Sequence, residues 1–394
     1  MNLFAFKLGR KTELCLGELE SIFGIKNLIE NNAEFAIFKL NLEDTEAQNL
    51  QNRLGGTIKI IKIFDSSGRL EESISSILKK TFKDRSGKIP FAISLLNFTN
   101  PKEINIKHLL NFSKKFLKSL GLNSRFVNKD FSSAESATIF KARIIEKGID
   151  INIIKGNSNI YMGETLAVQD LDSYSKRDFD KPRRDMATGM LPPKLAQIMI
   201  NLAGTDTKTI YDPFCGTGTI LTEGLLMDKN VIGTDIEQKM IDFSRENLHW
   251  IKREMKDKIK ETSRFRLFVK DSRFLNKTDF PEKIDAVITE SYLGKPISSL
   301  PSKEEREKTF RELANLNLNW LISVNKITEK NCPIVTCIPA FKTGQTFEFF
   351  PHFEEIAKQA GYKISHSFIY DRPDQIVARE IKVLEKSQSK TQYH

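Results

Sequence analysis

The sequence is poor in the residues that mark metal sites, disulfide frameworks and membrane segments. Its 394 residues include four cysteines, Cys15, Cys215, Cys332 and Cys337. Apart from the weak pair Cys332/Cys337, their spacing fits no zinc motif, so we expect free thiols and no metal. No apolar run approaches the ~18–20 residues that span a bilayer, and the first residues lack the order of a secretion signal. These absences predict a soluble, cytoplasmic protein with no membrane partner.

A glycine-bearing turn, YDPFCGTGTILTEG at residues 211–224, lacks the features of two common nucleotide-binding loops. A P-loop carries a lysine directly after its second glycine, whereas Gly218 is followed by Thr219 and Ile220. A dinucleotide fingerprint needs a third glycine three residues after the second, and Leu221 occupies that position. The turn is therefore expected to bind a cofactor without phosphate groups, through glycines that permit close approach to the backbone.

Positive charge is present, but it is concentrated in one stretch of the chain. The net charge is +10, and residues 51–130 hold 16 Lys/Arg against 6 Asp/Glu, whereas residues 1–50 hold 5 against 8. A basic segment in an otherwise balanced chain is typical of nucleic-acid binding. A lysine-rich solvated surface has the same composition, so composition alone leaves both interpretations open.

The patterns of apolar residues predict two architectures in succession. The first half mixes short strands and helices without strict alternation, which predicts an α+β region. A polar, charge-dense stretch at residues 169–185 is the best linker candidate. Beyond it, strands and helices alternate, which predicts an α/β fold with a doubly wound parallel sheet. Two final strands around the turn at residues 371–374 predict an antiparallel hairpin ending the sheet, the architecture of S-adenosylmethionine-dependent methyltransferases.

Acidic residues at strand ends indicate how the cofactor is held. Asp235 ends the strand after the glycine turn, 19 residues beyond Gly216, where it can accept both hydroxyls of a ribose. Asp212 precedes the turn, where a carboxylate would repel phosphate but attract an ammonium group. Asp271 follows the third strand, where an adenine amino group could bind. S-adenosylmethionine has these groups and no phosphate, and its predicted binding residues are Asp212, Phe214, Cys215, Gly216, Thr217, Gly218, Asp235, Ile236, Asp271 and Ser272.

The turn and the upstream residues 167–203 resemble the cofactor region of methyltransferases that modify exocyclic amines of RNA bases. Within that group, the chain resembles the tRNA guanosine N2-methyltransferase family. The resemblance implies methyl transfer to N2 of a guanosine near the tenth position of tRNA, and it leaves open a small activating subunit or a homodimer. It also implies four segments: a ferredoxin-like segment at 1–55, a THUMP-like RNA-binding domain at 56–165, a linker at 166–186 and a Rossmann-like methyltransferase domain at 187–394.

The catalytic loop of that family is normally Asp-Pro-Pro-Tyr followed by Gly, and this chain has Glu290, Ser291, Tyr292, Leu293 and Gly294 there. An exocyclic amine is a poor nucleophile because its lone pair is delocalised into the ring. A carboxylate and a backbone carbonyl can accept its two N–H groups and aim the lone pair at the methyl group. We assign these roles to Glu290 and to the carbonyl of Ser291. Tyr292 would stack on a base that has left the RNA.

Two alternatives to this function remain open. The loop could be an ordinary strand exit in a non-catalytic RNA-binding protein that retains a cofactor pocket. The substrate could be rRNA or DNA, or a different base.

Candidate phosphate contacts, which should weaken with salt, are Lys114, Lys115, Arg125 and Lys129 in the basic segment and Lys181, Arg183 and Arg184 in the linker. For each of these side chains, a solvated surface position without RNA contact is the alternative.

Overall fold

The computed structural model describes residues 1–83, 85, 87–100, 102–185, 190–373 and 375–387. The chain divides into two compact units, Met1–Ser173 and Tyr174–His394. The division falls within a helix at Leu171–Phe179, inside the segment predicted to be a linker. Among the described residues, no helix combines the length and apolar composition needed to cross a bilayer.

The described residues of the first unit build one sheet of eight strands with helices between them. The strand order is β2-β3-β1-β4-β8-β7-β5-β6, and the pairs β5–β6 and β5–β7 are parallel while the others are antiparallel. The elements are β1 (Asn2–Leu8), α1 (Thr12–Phe23), β2 (Leu28–Asn31), β3 (Phe35–Leu40), α2 (Ala47–Arg53), β4 (Thr57–Asp65), α3 (Leu70–Thr81), β5 (Lys88–Leu96), α4 (Ile106–Ser119), β6 (Asn123–Phe126), α5 (Ser136–Lys141), α6 (Ile144–Lys147), β7 (Ile149–Lys155) and β8 (Ile160–Val168). The helix that contains the division between the units is α7 (Leu171–Phe179).

This sheet continues across residue 55, where the sequence predicts a boundary. Strand β4 begins at Thr57 and pairs with β1 on one side and with β8 on the other. The elements before and after residue 55 therefore share one hydrogen-bonded sheet. The assignment of separate ferredoxin-like and THUMP-like segments stays a prediction.

A buried charge pair joins two strands of the first unit. The ammonium of Lys59 lies 2.9 Å from a carboxylate oxygen of Asp150, and both side chains are shielded from solvent. The hydroxyls of Ser94 and Thr165 also donate to Asp150, at 2.7 and 2.6 Å. Burial lowers the pKa of Lys59, and the carboxylate opposes that effect. Each charge in this pair depends on the other for compensation.

Replacing Lys59 with methionine is expected to destabilise the first unit by about 3–5 kcal/mol, because Asp150 would remain as an uncompensated buried charge. Urea unfolding followed by circular dichroism measures the loss. The matched control is Lys39→Met on β3, where the side chain is exposed and the change should stay within about 0.5 kcal/mol. Equal stability of the Lys59→Met variant and the wild type would contradict the interpretation.

The second unit has the doubly wound sheet that the sequence predicts. Its described strands follow the order β11-β10-β9-β12-β13-β16-β15, with β14 paired to β13. The elements are α8 (Pro193–Leu202), β9 (Thr209–Asp212), α9 (Thr219–Leu226), β10 (Asn230–Asp235), α10 (Gln238–Glu254), β11 (Phe265–Val269), β12 (Ala286–Glu290), α11 (Lys303–Ile327), β13 (Ile334–Thr343), β14 (Thr346–Phe349), α12 (Phe353–Gln359), β15 (Tyr362–Tyr370) and β16 (Val377–Lys386).

The antiparallel hairpin at the end of the sheet is confirmed, and its second strand, β16, lies inside its first, β15. Strands β11, β10, β9, β12 and β13 are parallel, and β16 lies antiparallel between β13 and β15. The last strand of the described residues is thus an interior strand. Consequently, β16 brings its side chains towards the carboxyl ends of the parallel strands.

The core of the second unit lies against α11 and fixes the central strands. Trp320 is fully buried and donates its indole N–H to Asn317 at 2.9 Å. Residues 286–289 of β12 are all buried, and Glu290, the last residue of that strand, is partly exposed. An apolar run of this kind is expected for a parallel strand covered on both faces. The carboxyl ends of the strands, where polar residues begin, form the edge on which the candidate site lies.

Candidate cofactor and catalytic site

The glycine turn connects β9 to α9 and exposes bare backbone. Gly216 has φ +50° and Gly218 has φ +81°, in the left-handed region that favours glycine. A Cβ on Gly218 would lie 2.8 Å from the hydroxyl of Ser244, whereas a Cβ on Gly216 would meet no described atom within 4 Å. Steric packing explains Gly218, and open space at Gly216 leaves room for a ligand against the chain.

Asp235 ends β10 and is tied to the turn. Its carboxylate accepts the backbone N–H of Gly216 at 3.0 Å and that of Glu237 at 3.0 Å. Burial raises the pKa of Asp235. The next residue, Ile236, is 62% exposed, so an apolar side chain flanks this carboxylate at the surface.

Asp212 ends β9 and is buried. One of its carboxylate oxygens accepts the hydroxyl of Thr289 at 2.6 Å and the backbone N–H of Phe214 at 3.1 Å. Burial raises the pKa of Asp212 to about 7, and the nearby carboxylates of Asp235 and Glu290 act in the same direction. A cationic ligand group would relieve this accumulation of negative charge.

One cavity brings together the turn and the predicted catalytic acid. Glu290 lines it with five of the predicted cofactor residues, Asp212, Phe214, Cys215, Gly216 and Thr217. Sequence reasoning missed its other lining residues, Met190, Leu191, Thr219, Ile220 and Met240. Thr219 and Ile220 stand in the quoted turn, and Met240 belongs to the apolar pattern of α10, but nothing local distinguishes a cavity wall from a core contact.

The composition of this lining fits a cation better than a phosphate. Among the described residues, the lining contains two acids and no lysine or arginine. Open space beside Gly216, the nearby Asp235 carboxylate and the buried Asp212 match the hydroxyl and ammonium groups of S-adenosylmethionine. The residues present therefore fit this cofactor. The described residues contain no group of three or more side chains suited to holding a metal ion.

Asp271 and Ser272 lie outside that lining. The carboxylate of Asp271 forms a two-point ion pair with the guanidinium of Arg273, with a shortest distance of 2.6 Å. This pairing lowers the pKa of Asp271, and Ser272 is buried. An adenine amino group at this carboxylate would have to compete with Arg273, so the assignment of both residues stays a prediction.

Glu290 is paired with an arginine that the sequence did not indicate. The Nε–H of Arg379, on β16, donates to Oε1 of Glu290, and Arg379 is 3% exposed. The other oxygen, Oε2, accepts no hydrogen bond from the described residues. Burial raises the pKa of Glu290 while Arg379 opposes the rise. The carboxylate is thus held at one oxygen by a buried cation.

The remaining residues of the loop are placed differently from one another. Ser291 is 2% exposed, and its hydroxyl donates to the carbonyl of Cys337 at 2.8 Å. Tyr292 is 48% exposed, and burial of part of its ring raises its pKa. Gly294 has φ +101°, so the chain turns sharply there. The loop has one anchored residue followed by one accessible aromatic ring.

Of the candidate RNA-binding residues, those of the first unit are exposed: Lys114 and Lys115 on α4, Arg125 on β6, and Lys129. A separate cleft of the first unit, with a volume of about 1350 Å³, was missed. Its lining includes Lys7, Arg10, Lys102, Lys107 and Phe131. The ammonium of Lys107 lies 5.1 Å from the ring of Phe131. A cation beside an accessible aromatic ring is an arrangement that suits single-stranded nucleic acid.

The linker candidates are engaged within the second unit. Arg183 pairs with Glu246 at 2.7 Å, and the guanidinium of Arg184 lies 5.6 Å from the ring of Phe179. Lys181 is 8% exposed and its ammonium donates to the hydroxyl of Thr219 at 3.3 Å. An RNA phosphate at this ammonium would have to compete with Thr219, so the assignment of Lys181 to RNA binding stays a prediction.

Part of the second unit matches a known methyltransferase domain. Residues 181–287 match the family model of the RMKL-like methyltransferase domain. The tRNA (guanine(10)-N2)-dimethyltransferase of Methanothermobacter thermautotrophicus is 38% identical over 125 residues, 32% of this chain and 33% of that protein. The protein of the same name from Methanocaldococcus jannaschii is 26% identical over 319 residues, 77% of this chain and 85% of that protein. The first alignment thus spans only a third of its relative, and the second spans most of it.

A solved structure shows the same fold. The structure of TrmN from Thermus thermophilus superposes with a TM-score of 0.52 at 14% sequence identity, covering 98% of this chain and 100% of that one. Its likeness bears on the fold alone. Residues 181–287 of the second unit, which has a Rossmann-like fold, thus match an RMKL-like methyltransferase domain, and the chain is similar to proteins named as tRNA (guanine(10)-N2)-dimethyltransferases.

Proposed function

We propose that this protein transfers a methyl group from S-adenosylmethionine to N2 of a guanosine near the tenth position of tRNA. The observation that carries the proposal is that Glu290 lines the same cavity as Asp212 and Gly216. A carboxylate suited to an amine substrate therefore faces the place where the cofactor fits. The relatives named as tRNA (guanine(10)-N2)-dimethyltransferases support the choice of substrate.

Within the cofactor site, each residue has a distinct role in the proposal. S-adenosylmethionine, when bound, supplies an electrophilic methyl group. Gly216 offers bare backbone, Asp235 accepts hydroxyl groups of the ribose, and Asp212 attracts the ammonium group. The remaining predicted contacts come from Phe214, Cys215, Thr217, Gly218 and Ile236.

On the substrate side, the task is to make a poor nucleophile reactive. Oε2 of Glu290 and the backbone carbonyl of Ser291 would accept the two N–H groups of the amine. These acceptors keep the lone pair directed at the methyl group and stabilise positive charge as it develops on nitrogen. The amine must afterwards lose a proton, and Glu290 is the nearest acceptor in the proposal. Tyr292 would hold the extruded base by stacking.

The first unit supplies the RNA-binding surface in this proposal. One variant tests this surface by changing four side chains to glutamine: Lys114, Lys115, Arg125 and Lys129. Because four phosphate contacts are removed, we expect tRNA binding to weaken by about 10–100-fold and to depend less steeply on salt concentration. Filter binding at several salt concentrations measures both effects. The matched control replaces four exposed lysines of the second unit, Lys256, Lys277, Lys303 and Lys330. Equal losses in both variants would show a general charge effect and overturn this surface.

The activity is tested with methyl-labelled cofactor and separate pools of tRNA, rRNA and DNA. We expect label in tRNA, released after digestion as N2-methylated guanosine at one site. Label in rRNA or DNA alone would contradict the substrate. Cofactor binding without transfer to any pool would support the non-catalytic alternative.

A further inference from the structure

We infer that Arg379 is the positioning residue of the proposed reaction: it fixes Glu290 through Oε1 so that Oε2 faces the substrate amine. The inference rests on the proposed function and adds a residue to it. Arg379 is not among the described residues that line the cavity that Glu290 shares with the glycine turn. Its action would pass entirely through Glu290.

The geometry of the sheet explains how an arginine reaches this position. Glu290 ends β12 and lies opposite Cys337 of β13. Two residues further along β13, Pro339 lies opposite Arg379 of β16. The guanidinium therefore reaches the end of β12 from β16, which lies two strands away in the sheet. Interior placement of β16 between β13 and β15 makes this approach possible.

The arginine is itself held, so it can hold the glutamate. Its Nη1–H donates to the side-chain oxygen of Gln375 at 3.1 Å, and only 4% of its side chain is exposed. A glutamate side chain has three rotatable torsions, and restricting them costs conformational entropy. Pairing with a buried, oriented guanidinium supplies that restriction before substrate binds. Misplacement of a reacting group by about 1 Å can cost ~100-fold in rate.

Charge provides the second effect of Arg379. Among the described residues, the cations that act on Glu290 are Arg379 at contact and Arg372 from the preceding loop, and both favour the ionised carboxylate. Among the described residues, the acidic groups that interact with it are Asp212 on β9 and Cys337 on β13. An ionised carboxylate accepts two N–H groups, whereas a protonated one has reduced acceptor capacity. Arg379 thus offsets the burial that would otherwise favour protonation.

The test compares Arg379→Gln and Arg379→Lys with the wild type. In Arg379→Gln we expect kcat to fall by about 10–100-fold, because the reacting carboxylate would be misplaced. KM for tRNA should stay within a factor of three of the wild-type value, which corresponds to a change of ~0.7 kcal/mol in binding free energy. Removing the cation raises the pKa of Glu290, so the acidic limb of the kcat profile should move about one unit or more towards higher pH. Arg379→Lys keeps the charge and should restore the position of that limb.

The control is Lys382→Gln. Lys382 lies on the same strand as Arg379, but its ammonium pairs with Glu380 and not with Glu290. The substitution should leave both kcat and the pH profile unchanged. Melting temperature and S-adenosylhomocysteine affinity identify a variant that has merely lost its fold. A normal kcat and an unmoved acidic limb in folded Arg379→Gln would overturn the inference.

An activity-independent measurement separates this inference from the proposed function. Carbon-13 NMR of labelled glutamate follows the titration of the Glu290 carboxyl, with the resonance assigned by its loss in Glu290→Gln. A higher pKa in Arg379→Gln than in the wild type supports the electrostatic role even if no RNA is methylated. An identical titration in both proteins refutes that role even if methylation is observed.

Discussion

Replacing Glu290 with glutamine is expected to lower kcat for methyl transfer by about 100–1000-fold, the usual cost of removing a group that stabilises charge in the transition state. Glutamine presents one oxygen in place of two and carries no charge. It cannot take up the proton that the amine must lose. Methylation of tRNA under single-turnover conditions measures the change without interference from product release.

The ion pair complicates this experiment in a predictable way. Glutamine leaves the buried guanidinium of Arg379 without its anion, and such a loss can cost several kcal/mol of stability. Melting temperature and S-adenosylhomocysteine binding are therefore measured for Glu290→Gln, and Glu290→Asp serves as a charged comparison. Glu282→Gln removes an acid from a surface pair with Arg266 and should leave the rate unchanged. Transfer at the wild-type rate in folded Glu290→Gln would refute the catalytic assignment.

Replacing Asp212 with asparagine is expected to have opposite effects on cofactor binding and on stability. At pH 8 the wild-type carboxylate is ionised, and losing its attraction for an ammonium group should weaken S-adenosylmethionine binding about 10-fold or more, since one close charge pair is worth over 1 kcal/mol. Asparagine keeps an oxygen for the hydroxyl of Thr289 and the N–H of Phe214. Calorimetric titration at several pH values measures the affinity.

The pH dependence follows from the raised pKa of Asp212, about 7 in the folded chain against about 3.9 for an unperturbed side chain. Between these values the folded state binds more protons than the unfolded state, so stability falls as pH rises from about 4 to about 7. Asparagine does not ionise and escapes this loss. The variant should therefore match the wild type near pH 4 and exceed it above pH 7 by up to about 4 kcal/mol, since the shift is about three pKa units at about 1.4 kcal/mol each.

The affinity of the wild type for S-adenosylmethionine should fall as the pH is lowered through the pKa of Asp212, about 7. As the pH drops below about 7, Asp212 takes up a proton and no longer attracts an ammonium group. Asp206→Asn, at an exposed acid of the same unit, provides the control for both measurements. A cofactor affinity that is flat between pH 5 and pH 8, or a variant less stable than the wild type at pH 8, would show that Asp212 does not carry this role.

Local features were predicted well because their physical causes are local. Gly216 and Gly218 adopt left-handed backbone conformations, and Asp235 lies at the end of the next strand, bonded to the turn. Strand and helix alternation predicted the doubly wound sheet, and the hairpin followed from two apolar strands around a short turn. In contrast, β2 and β6, each of four residues, are too short to give a recognisable period.

Side-chain partners were not predictable in the same way. Lys181 is predicted as a phosphate contact, and the fold places it, largely buried, beside Thr219. Asp271 was assigned a ligand, yet Arg273, two residues away, occupies its carboxylate. Charged residues in a sequence show what they could bind, but burial and competing partners decide what they contact.

By itself, the sequence determined the class of fold, the turn that excludes phosphate, and the order in which acids follow the strands. All three depend on the identity of neighbouring residues and on hydrophobic period, which a single chain displays directly. Only the tertiary structure decided that Glu290 shares a cavity with the turn and is held by Arg379, 89 residues away. That contact requires β16 to lie between β13 and β15, and strand order in a sheet is set by long-range packing, which no local pattern encodes.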